Sequence, residues 1–333
     1  MNIAVLGAGA WGTALAIRFA AAHDVWLWTR SGEHAADLNA MRSNTRYLPG
    51  HALPDRLHTT SDLPAALADA ALIIAAVPSN ALRGLAQDLR ARAGTDAKRA
   101  PLVWLCKGFE TGSGKLPHQV LAEAWPDHPA AAVLSGPSFA QEVAGGLPAA
   151  LTVASNDLEF ARRTAQALHD PRLRLYASTD VIGVELGGAV KNVIAIAAGI
   201  ADGLGFGLNA RAALVTRGLA ELTRLGLKLG GKPETFMGLS GMGDLILTCT
   251  GDLSRNRQLG LRLAAGESLE GALRDLGHVA EGATTAIEVA QLGARLGVEM
   301  PITTAVAQIL KQEMPPREAV TALLARGLKD EGQ

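Results

Sequence analysis

One lysine in the middle of a long apolar stretch is the residue of this chain best placed to do acid–base chemistry. The stretch runs from Val181 to Ile200, consists mostly of Ala, Val, Ile and Gly, and carries Lys191 and Asn192 near its centre. Its length corresponds to about five helical turns. A buried ammonium loses hydration, so its pKa falls unless a partner compensates. Either Lys191 transfers protons, or it is a packed stem with its head in water.

The same stretch has to be tested as a membrane span. Glu185, Lys191 and Asn192 all fall inside it, and a charge at mid-bilayer costs roughly 2.5–3.5 kcal/mol even on a lenient insertion scale. We therefore expect a core helix and no integral membrane segment. The chain starts almost at once with a strand-like run, Ile3 to Leu6, which predicts no secretory signal and a cytoplasmic location.

A second candidate group is a glycine-rich run that ends in a carboxylate. Residues 238–243 read Gly-Leu-Ser-Gly-Met-Gly, and Asp244 follows, just before an apolar segment. Asp244 could hold Lys191, hydrogen-bond a substrate hydroxyl, or only cap the following segment. The sequence leaves these three interpretations open.

A third group combines three kinds of hydrogen-bond donor beside a predicted helix start. Ser254, Arg255 and Asn256 supply a hydroxyl, a guanidinium and an amide, which suit a phosphate. The alternative is a capped helix with a solvated basic face. Glu281 opens a further predicted helix, where the helix dipole alone would favour its charge.

The beginning of the chain has the pattern of a dinucleotide-binding turn. After the strand-like run, Gly7-Ala8-Gly9-Ala10-Trp11-Gly12 leads into a predicted helix from Thr13. Gly7 permits the turn, Gly9 lets the backbone approach a pyrophosphate, and Gly12 lets the helix pack against the strand. The helix N-terminus offers its N–H groups to the phosphates. The strand–turn–helix order favours this function over an unrelated glycine-rich turn.

The residue after the second predicted strand, Val25–Trp28, bears on which dinucleotide binds. NAD enzymes usually have Asp or Glu there for the ribose 2′-hydroxyl. Here Thr29-Arg30-Ser31 follows, and an arginine can pair with a 2′-phosphate or stack on adenine. We therefore predict that NADP is preferred and NAD accepted, against the alternative that Arg30 is a solvated strand-end residue.

Two polar residues follow later predicted strands, at the edge where doubly wound sheets bind ligands. Lys107 ends the strand predicted over 101–108, and is otherwise a plain surface lysine. Ser138 follows the Gly136-Pro137 turn and is predicted to cap a helix through Val143. Capping alone would explain this serine.

Alternating strand and helix patterns fill the first half of the chain. Such alternation predicts a mostly parallel sheet covered on both faces. After Thr179 only helical patterns follow. We therefore predict an α/β protein: a Rossmann-like doubly wound domain over 1–179 and an all-α substrate domain over 180–333. Further strands are predicted at 72–79, 132–135, 151–154 and 174–176, and helices at 158–168, 181–201, 210–229, 253–265, 284–296 and 303–314.

Composition narrows the class of partner. The 333 residues carry a net charge of −1, so there is no basic excess to attract nucleic acid. Two cysteines without a CxxC pair make no disulfide framework and indicate a reducing compartment. We expect a small-molecule substrate and no metal, and leave a homodimer open.

Several motifs in order along nearly the whole chain resemble bacterial-type NAD(P)-dependent glycerol-3-phosphate dehydrogenase. This resemblance implies reduction of dihydroxyacetone phosphate to sn-glycerol 3-phosphate for phospholipid synthesis. The motifs are GAGAWGTALA from Gly7, VPS from Val77, CKGFE from Cys106, LSGPSFA from Leu134, GGAVKNVIAI from Gly187, GMGDLILTCT from Gly241, SRNR from Ser254 and VAEG from Val279.

The resemblance also implies roles by position. Lys191 is implied as the proton donor or acceptor. The implied substrate positions are Lys107, Gly136, Ser138, Lys191, Asp244, Ser254, Arg255 and Asn256. Beside Gly7, Gly9 and Gly12, the implied dinucleotide positions are Ala10, Trp11, Arg30, Tyr47, Lys107, Ala140, Arg255, Val279 and Glu281. Members of the family often have serine where Ala10 stands, so only backbone donors are expected there.

Two other functions remain open at this stage. Related two-domain dehydrogenases of the 6-phosphogluconate or 3-hydroxyisobutyrate type also place a lysine on a helix of the second domain, but the donors at 254–257 favour a small phosphate substrate. A non-catalytic dinucleotide sensor would need no buried lysine.

Overall fold

The computed structural model describes residues 1–92, 100–277 and 281–325. The chain forms two compact units. The first comprises Met1–Glu110 and Lys115–Glu185, and the second comprises Thr111–Gly114 and the chain from Leu186 onward. The boundary expected at residue 180 stays a prediction.

The first unit is built on one eight-stranded sheet in the order β3-β2-β1-β4-β5-β6-β7-β8. All neighbours are parallel except β6 and β7, which are antiparallel. The predicted doubly wound, mostly parallel sheet is therefore confirmed. Its strands are β1 (Asn2–Leu6), β2 (Asp24–Trp28), β3 (Leu57–Thr60), β4 (Leu72–Ala75), β5 (Leu102–Trp104), β6 (Ala131–Ser135), β7 (Ala149–Ala154) and β8 (Leu173–Ser178).

Helices cover both faces of this sheet, because its strands are apolar on both sides. In β1, Ile3 and Val5 enter one hydrophobic cluster while Ala4 and Leu6 enter the other, as the two-residue period of a strand requires. The helices of this half are α1 (Ala10–Phe19), α2 (Gly32–Met41), α3 (Leu63–Leu67), α4 (Ser79–Arg92), α5 (Pro117–Ala124), α6 (Ala140–Ala144) and α7 (Leu158–Ala167).

The second unit is helical in its described residues, as predicted. Its first helix, α8, begins in the first unit. The helices are α8 (Val181–Gly203), α9 (Gly207–Lys228), α10 (Pro233–Phe236), a π-helical turn (Leu239–Gly243), α11 (Asp244–Thr250), α12 (Arg255–Ala264), α13 (Leu269–Asp275), α14 (Glu281–Leu296), α15 (Pro301–Leu310) and α16 (Pro316–Leu324).

Helix α8 is long and apolar enough to cross a membrane, but 94% of its most apolar window is buried inside the protein. Its glycines explain how it fits there. A Cβ added at Gly187 would lie 2.0 Å from the carbonyl oxygen of Ser240, and one at Gly199 would lie 2.0 Å from that of Arg257. Since neither backbone could yield, α8 is a core helix whose small residues allow close helix contacts.

Several predicted boundaries were wrong. The strand predicted over 72–79 ends at Ala75, and the next helix begins at Ser79. The strand predicted over 101–108 covers only Leu102–Trp104. The helix predicted over 303–314 runs over Pro301–Leu310. It begins at Pro301 because proline has no N–H to satisfy and therefore suits the first position of a helix. Strand β3 and helix α2 were not predicted.

Candidate active site

The glycine turn joins β1 to α1 as the sequence predicted. Gly7 has a φ of +123°, and a Cβ there would lie 2.2 Å from the carbonyl oxygen of Ala76. A Cβ at Gly12 would lie 2.1 Å from the carbonyl oxygen of Gly7. At Gly9, by contrast, a Cβ would meet no described atom within 4 Å. Two of the glycines are therefore needed for packing, and the third leaves open space.

The start of α1 faces this open space without a protein cap. Gly9 is the N-cap and makes no side-chain capping bond, and the first turn, which begins with Ala10 and Trp11, has no acidic residue. The first N–H groups of a helix need partners from outside the helix. The arrangement fits the pyrophosphate of a dinucleotide, which would accept these N–H groups at the positive end of the helix dipole.

A buried asparagine supports the turn from behind. Asn44 Nδ2 donates to the carbonyl oxygen of Ala8 at 3.0 Å and to Thr13 Oγ1 at 2.8 Å. Its Oδ1 accepts the N–H of Tyr47 at 3.2 Å. The structure thus places Tyr47 beside the glycine turn. Sequence reasoning missed Asn44, since a polar residue in a connecting segment gives no signal of burial.

Two further predicted dinucleotide residues, Arg30 and Trp11, lie near the same turn. The N–H of Gly7 donates to the carbonyl oxygen of Trp28, so the end of β2 lies next to the turn. Arg30 follows that end and is exposed. Trp11 is half-buried, and its Nε1 has no hydrogen-bond partner within the described part of the chain.

The ends of β5 and β6 bring together three predicted substrate residues. Lys107 Nζ and Ser138 Oγ both donate to the carbonyl oxygen of Gly136, at 3.2 and 3.1 Å. The prediction that Ser138 caps the next helix was wrong: the N-cap of α6 is Phe139, and the helix begins at Ala140. Gly136 has a φ of +143°, which favours glycine at this turn, and the helix begins late enough to leave Ser138 one residue before the cap.

In the second unit, Lys191 is buried among charged and polar partners. Its side chain is 9% exposed and forms an ion pair with Asp244, whose side chain is 1% exposed. Lys191 Nζ also donates to Thr248 Oγ1 at 3.0 Å, and this hydroxyl donates to the carbonyl oxygen of Asp244 at 2.6 Å. The alternative of a lysine with its head in water is therefore wrong. Thr248 was missed, although it stands one helical turn after Asp244.

The thiol of Cys249, near Lys191 and Asp244, shows that this part of the protein is shielded from water. Cys249 is fully buried, and burial raises the pKa of its thiol to about 12. In such surroundings charge–charge and charge–dipole interactions are stronger than in water. An ammonium held there is stabilised by the Asp244 carboxylate rather than by solvent.

Two asparagines connect Lys191 to the predicted phosphate donors. Asn256 Nδ2 donates to Asn192 Oδ1 at 3.0 Å, and Asn256 Oδ1 accepts the N–H of Gly282 at 3.1 Å. The first turn of α12 is thereby joined to the helix that carries Lys191 and to the start of α14. That start is Glu281, as predicted. Val279 lies outside the described residues.

The four residues of the SRNR motif have different surroundings. Ser254 is buried and caps α12, with its Oγ accepting the N–H of Arg257 at 3.3 Å. Arg255 is exposed at the first position of the helix. The guanidinium of Arg257 is already paired with two carboxylates, those of Asp202 and Asp252. Of the two arginines, Arg255 is therefore the one placed to meet a ligand from solvent.

The family models and the curated relatives that match the chain are glycerol-3-phosphate dehydrogenases. The models for the N-terminal and C-terminal parts of NAD-dependent glycerol-3-phosphate dehydrogenase match residues 2–161 and 180–321. The NAD(P)+ glycerol-3-phosphate dehydrogenase of Nitrosospira multiformis is 59% identical over 99% of both chains. That of Thiobacillus denitrificans is 58% identical over 99% of this chain and all of the relative. The crystal structure of glycerol-3-phosphate dehydrogenase from Coxiella burnetii is 43% identical, with a TM-score of 0.92 over 98% of this chain and 99% of that one.

Proposed function

The chain belongs to the NAD-dependent glycerol-3-phosphate dehydrogenase family, and from this premise we propose the reaction that it catalyses. It is an oxidoreductase that reduces dihydroxyacetone phosphate to sn-glycerol 3-phosphate with NADH or NADPH, and the product feeds phospholipid synthesis. The observation that carries the proposal is the buried ion pair of Lys191 and Asp244, beside a helix start rich in donors for a phosphate.

Lys191 supplies the proton for this reduction. When bound, the nicotinamide supplies the hydride. Negative charge then builds on the carbonyl oxygen of the substrate, and an ammonium within hydrogen-bond reach stabilises that charge and transfers a proton. Asp244 and Thr248 hold the amine in place. In the reverse direction, the neutral amine accepts the hydroxyl proton of glycerol 3-phosphate.

The remaining site residues bind and orient the substrate. Ser254, Arg255 and Asn256 stand at the N-terminus of the ten-residue helix α12, where a phosphate gains both charged donors and the helix dipole. A second polar group follows the C-terminal ends of β5 and β6 and contacts the polar end of the substrate. It consists of Lys107, Gly136 and Ser138. Asn192 holds the phosphate-binding turn beside Lys191.

The dinucleotide binds at the glycine turn of the first unit. The backbone N–H groups of Gly9 to Gly12 donate to the pyrophosphate, and Arg30 pairs with the 2′-phosphate of NADP. The remaining contacts are assigned to Trp11, Tyr47, Lys107 and Ala140, together with Arg255, Val279 and Glu281 from the second half of the chain. The protein works in the cytoplasm and divides at residue 180 into a cofactor domain and a substrate domain.

One absorbance assay tests the reaction. The purified protein should oxidise NADPH with dihydroxyacetone phosphate as the substrate. The matched reactions in the oxidative direction use glycerol 3-phosphate, 6-phosphogluconate and 3-hydroxyisobutyrate, and only the first should reduce NADP⁺. Turnover of either hydroxyacid in preference to glycerol 3-phosphate, or cofactor binding without any turnover, would refute the proposal.

Replacing Gly9 by valine should strongly weaken cofactor binding without unfolding the protein. The backbone at Gly9 is extended, with φ of −76°, and a Cβ there meets no described atom within 4 Å. The added side chain would therefore occupy only the space assigned to the pyrophosphate. Loss of one or two charge-assisted hydrogen bonds, at about 1.5–3 kcal/mol each, predicts a Kd for NADPH raised about 100-fold.

Fluorescence titration with NADPH and a thermal melt provide the measurement for Gly9→Val. Gly84 is a matched control because a Cβ there also meets nothing within 4 Å, and it lies in α4. Gly84→Val should keep the wild-type Kd. A Gly9→Val protein that binds NADPH normally would remove the pyrophosphate from this turn.

Replacing Arg30 by alanine should weaken NADPH binding selectively. The 2′-phosphate would lose its charge-assisted bonds to the guanidinium, which predicts a KM for NADPH about tenfold higher. NADH has no 2′-phosphate, so its KM should not change. The measurement is the ratio of kcat/KM for the two cofactors. Arg163→Ala removes an exposed arginine of the same unit as a control. An unchanged ratio in Arg30→Ala would contradict the assignment.

A further inference from the structure

One largely buried carboxylate in the second unit is shared by two arginines. Asp202 lies at the C-terminal end of α8, and its side chain is 12% exposed. Its Oδ2 accepts from Arg211 NH1 at 3.0 Å and from Arg257 Nε at 2.9 Å. Buried ion pairs persist only where geometry and hydrogen bonds compensate for desolvation. The burial of Asp202 between two arginines therefore indicates a specific structural role for this carboxylate.

Arg257 connects this cluster to the phosphate-binding turn. It lies in the first turn of α12, and its backbone N–H donates to Ser254 Oγ. Its NH1 reaches back to Asp252, whose side chain is 97% exposed, at 2.9 Å. The guanidinium therefore joins the loop before the helix, the helix start and the end of α8. Because these bonds engage its guanidinium, Arg257 does not point toward a ligand in solvent.

The backbones of α8 and α12 are also in direct contact at this place. A Cβ at Gly199 would lie 2.0 Å from the carbonyl oxygen of Arg257, and one at Gly260 would lie 2.1 Å from that of Ile196. Beside this backbone packing, two side-chain contacts join the turn that bears Ser254, Arg255 and Asn256 to α8. One is the Asn192–Asn256 bond beside Lys191, and the other is the Asp202–Arg257 pair.

We propose that Asp202 is a positioning residue for the substrate phosphate. Through Arg257 it fixes the first turn of α12 at a set distance and angle from the helix that carries Lys191. It does not touch the substrate itself. This inference rests on the proposed function, because it assumes that the phosphate binds at Ser254, Arg255 and Asn256.

The test is a split between KM and kcat in the full-length enzyme. Asp202→Asn removes the charge and keeps the shape, so one of the two side-chain contacts between the turn and α8 loses its ion pair. We expect the KM for dihydroxyacetone phosphate to rise about tenfold, the loss of about one hydrogen bond to a charged group. The kcat should stay within threefold of wild type, and the Kd for NADPH should not change.

Two further variants keep the test decisive. Arg257→Gln should raise the same KM, and the double variant Asp202→Asn/Arg257→Gln should raise it no further than either single change, since residues that act through one contact are not additive. Asp252→Asn is the matched control: it removes the exposed partner of the same guanidinium and should leave KM unchanged, because exposed ion pairs contribute little.

The outcomes separate this inference from the proposed function. Absence of dihydroxyacetone phosphate reduction by the wild-type enzyme would refute the function itself. With an active wild type, a lower melting temperature at unchanged KM would show a purely structural pair and overturn the inference. So would a KM raised by Arg257→Gln but not by Asp202→Asn, because Arg257 would then contact the phosphate directly. If Asp202→Asn does not fold, the KM of Arg257→Gln decides, and a wild-type value overturns the inference.

Discussion

Replacing Lys191 by alanine should lower the turnover of dihydroxyacetone phosphate by about 10²–10⁴-fold, the range that a positioned general acid contributes. The truncated side chain leaves the carbonyl oxygen without a proton donor and leaves Asp244 without its cation. The Kd for NADPH should stay within a few-fold of wild type, since Lys191 is not among the residues proposed to contact the dinucleotide. Steady-state absorbance assays and a fluorescence titration measure the two quantities.

Lys191→Arg separates proton transfer from charge. The guanidinium keeps the positive charge beside Asp244 but does not release its proton at any ordinary pH. We therefore expect Lys191→Arg to be nearly as slow as the alanine variant, although it binds the substrate better. Turnover within tenfold of wild type in Lys191→Ala would remove Lys191 from the chemistry, whatever its surroundings.

The sheet could be predicted largely because its central strands are buried on both faces and read as continuous apolar runs. Strand β3 escaped prediction for the opposite reason. It lies at the edge of the sheet, and its four residues, Leu57 to Thr60, include one strongly apolar side chain and alternate between buried and exposed positions. Four residues of that pattern are indistinguishable from a loop in the sequence.

The residues of the candidate site could be predicted from the sequence, but the contacts between them could not. A lysine inside a long apolar run indicated a packed stem, with its amine either at a site or in water, and Asp244 was one named partner for it. The Lys191–Asp244 contact spans 53 residues and the Asn192–Asn256 bond spans 64. Which of several polar residues meet across helices depends on packing of glycines such as Gly187 and Gly199. The sequence shows these glycines but not what they approach.

Replacing Asp244 by asparagine should affect both stability and catalysis. The variant keeps the contact of the buried amine with Thr248 Oγ1 and removes the carboxylate charge of its ion pair. Breaking a buried pair in this way costs about 3–5 kcal/mol if the amine stays charged. The protein lowers this cost by releasing the proton, because burial disfavours the charged form. We expect a lower melting temperature and turnover reduced about 100-fold at neutral pH, measured by a thermal melt and by initial rates.

The pH dependence of Asp244→Asn distinguishes a lost counter-charge from a merely loosened site. Reduction needs the ammonium form of Lys191, so the rate of this variant should recover in part as the pH falls, whereas the wild-type rate should not rise. Thr248→Val removes an uncharged partner of the amine, and it should change turnover less than tenfold with no such recovery. If the Asp244→Asn rate stays low by the same factor at every pH, Asp244 acts on substrate geometry and not on the proton held at Lys191. The sign of that pH response therefore identifies which property of the carboxylate the reaction uses.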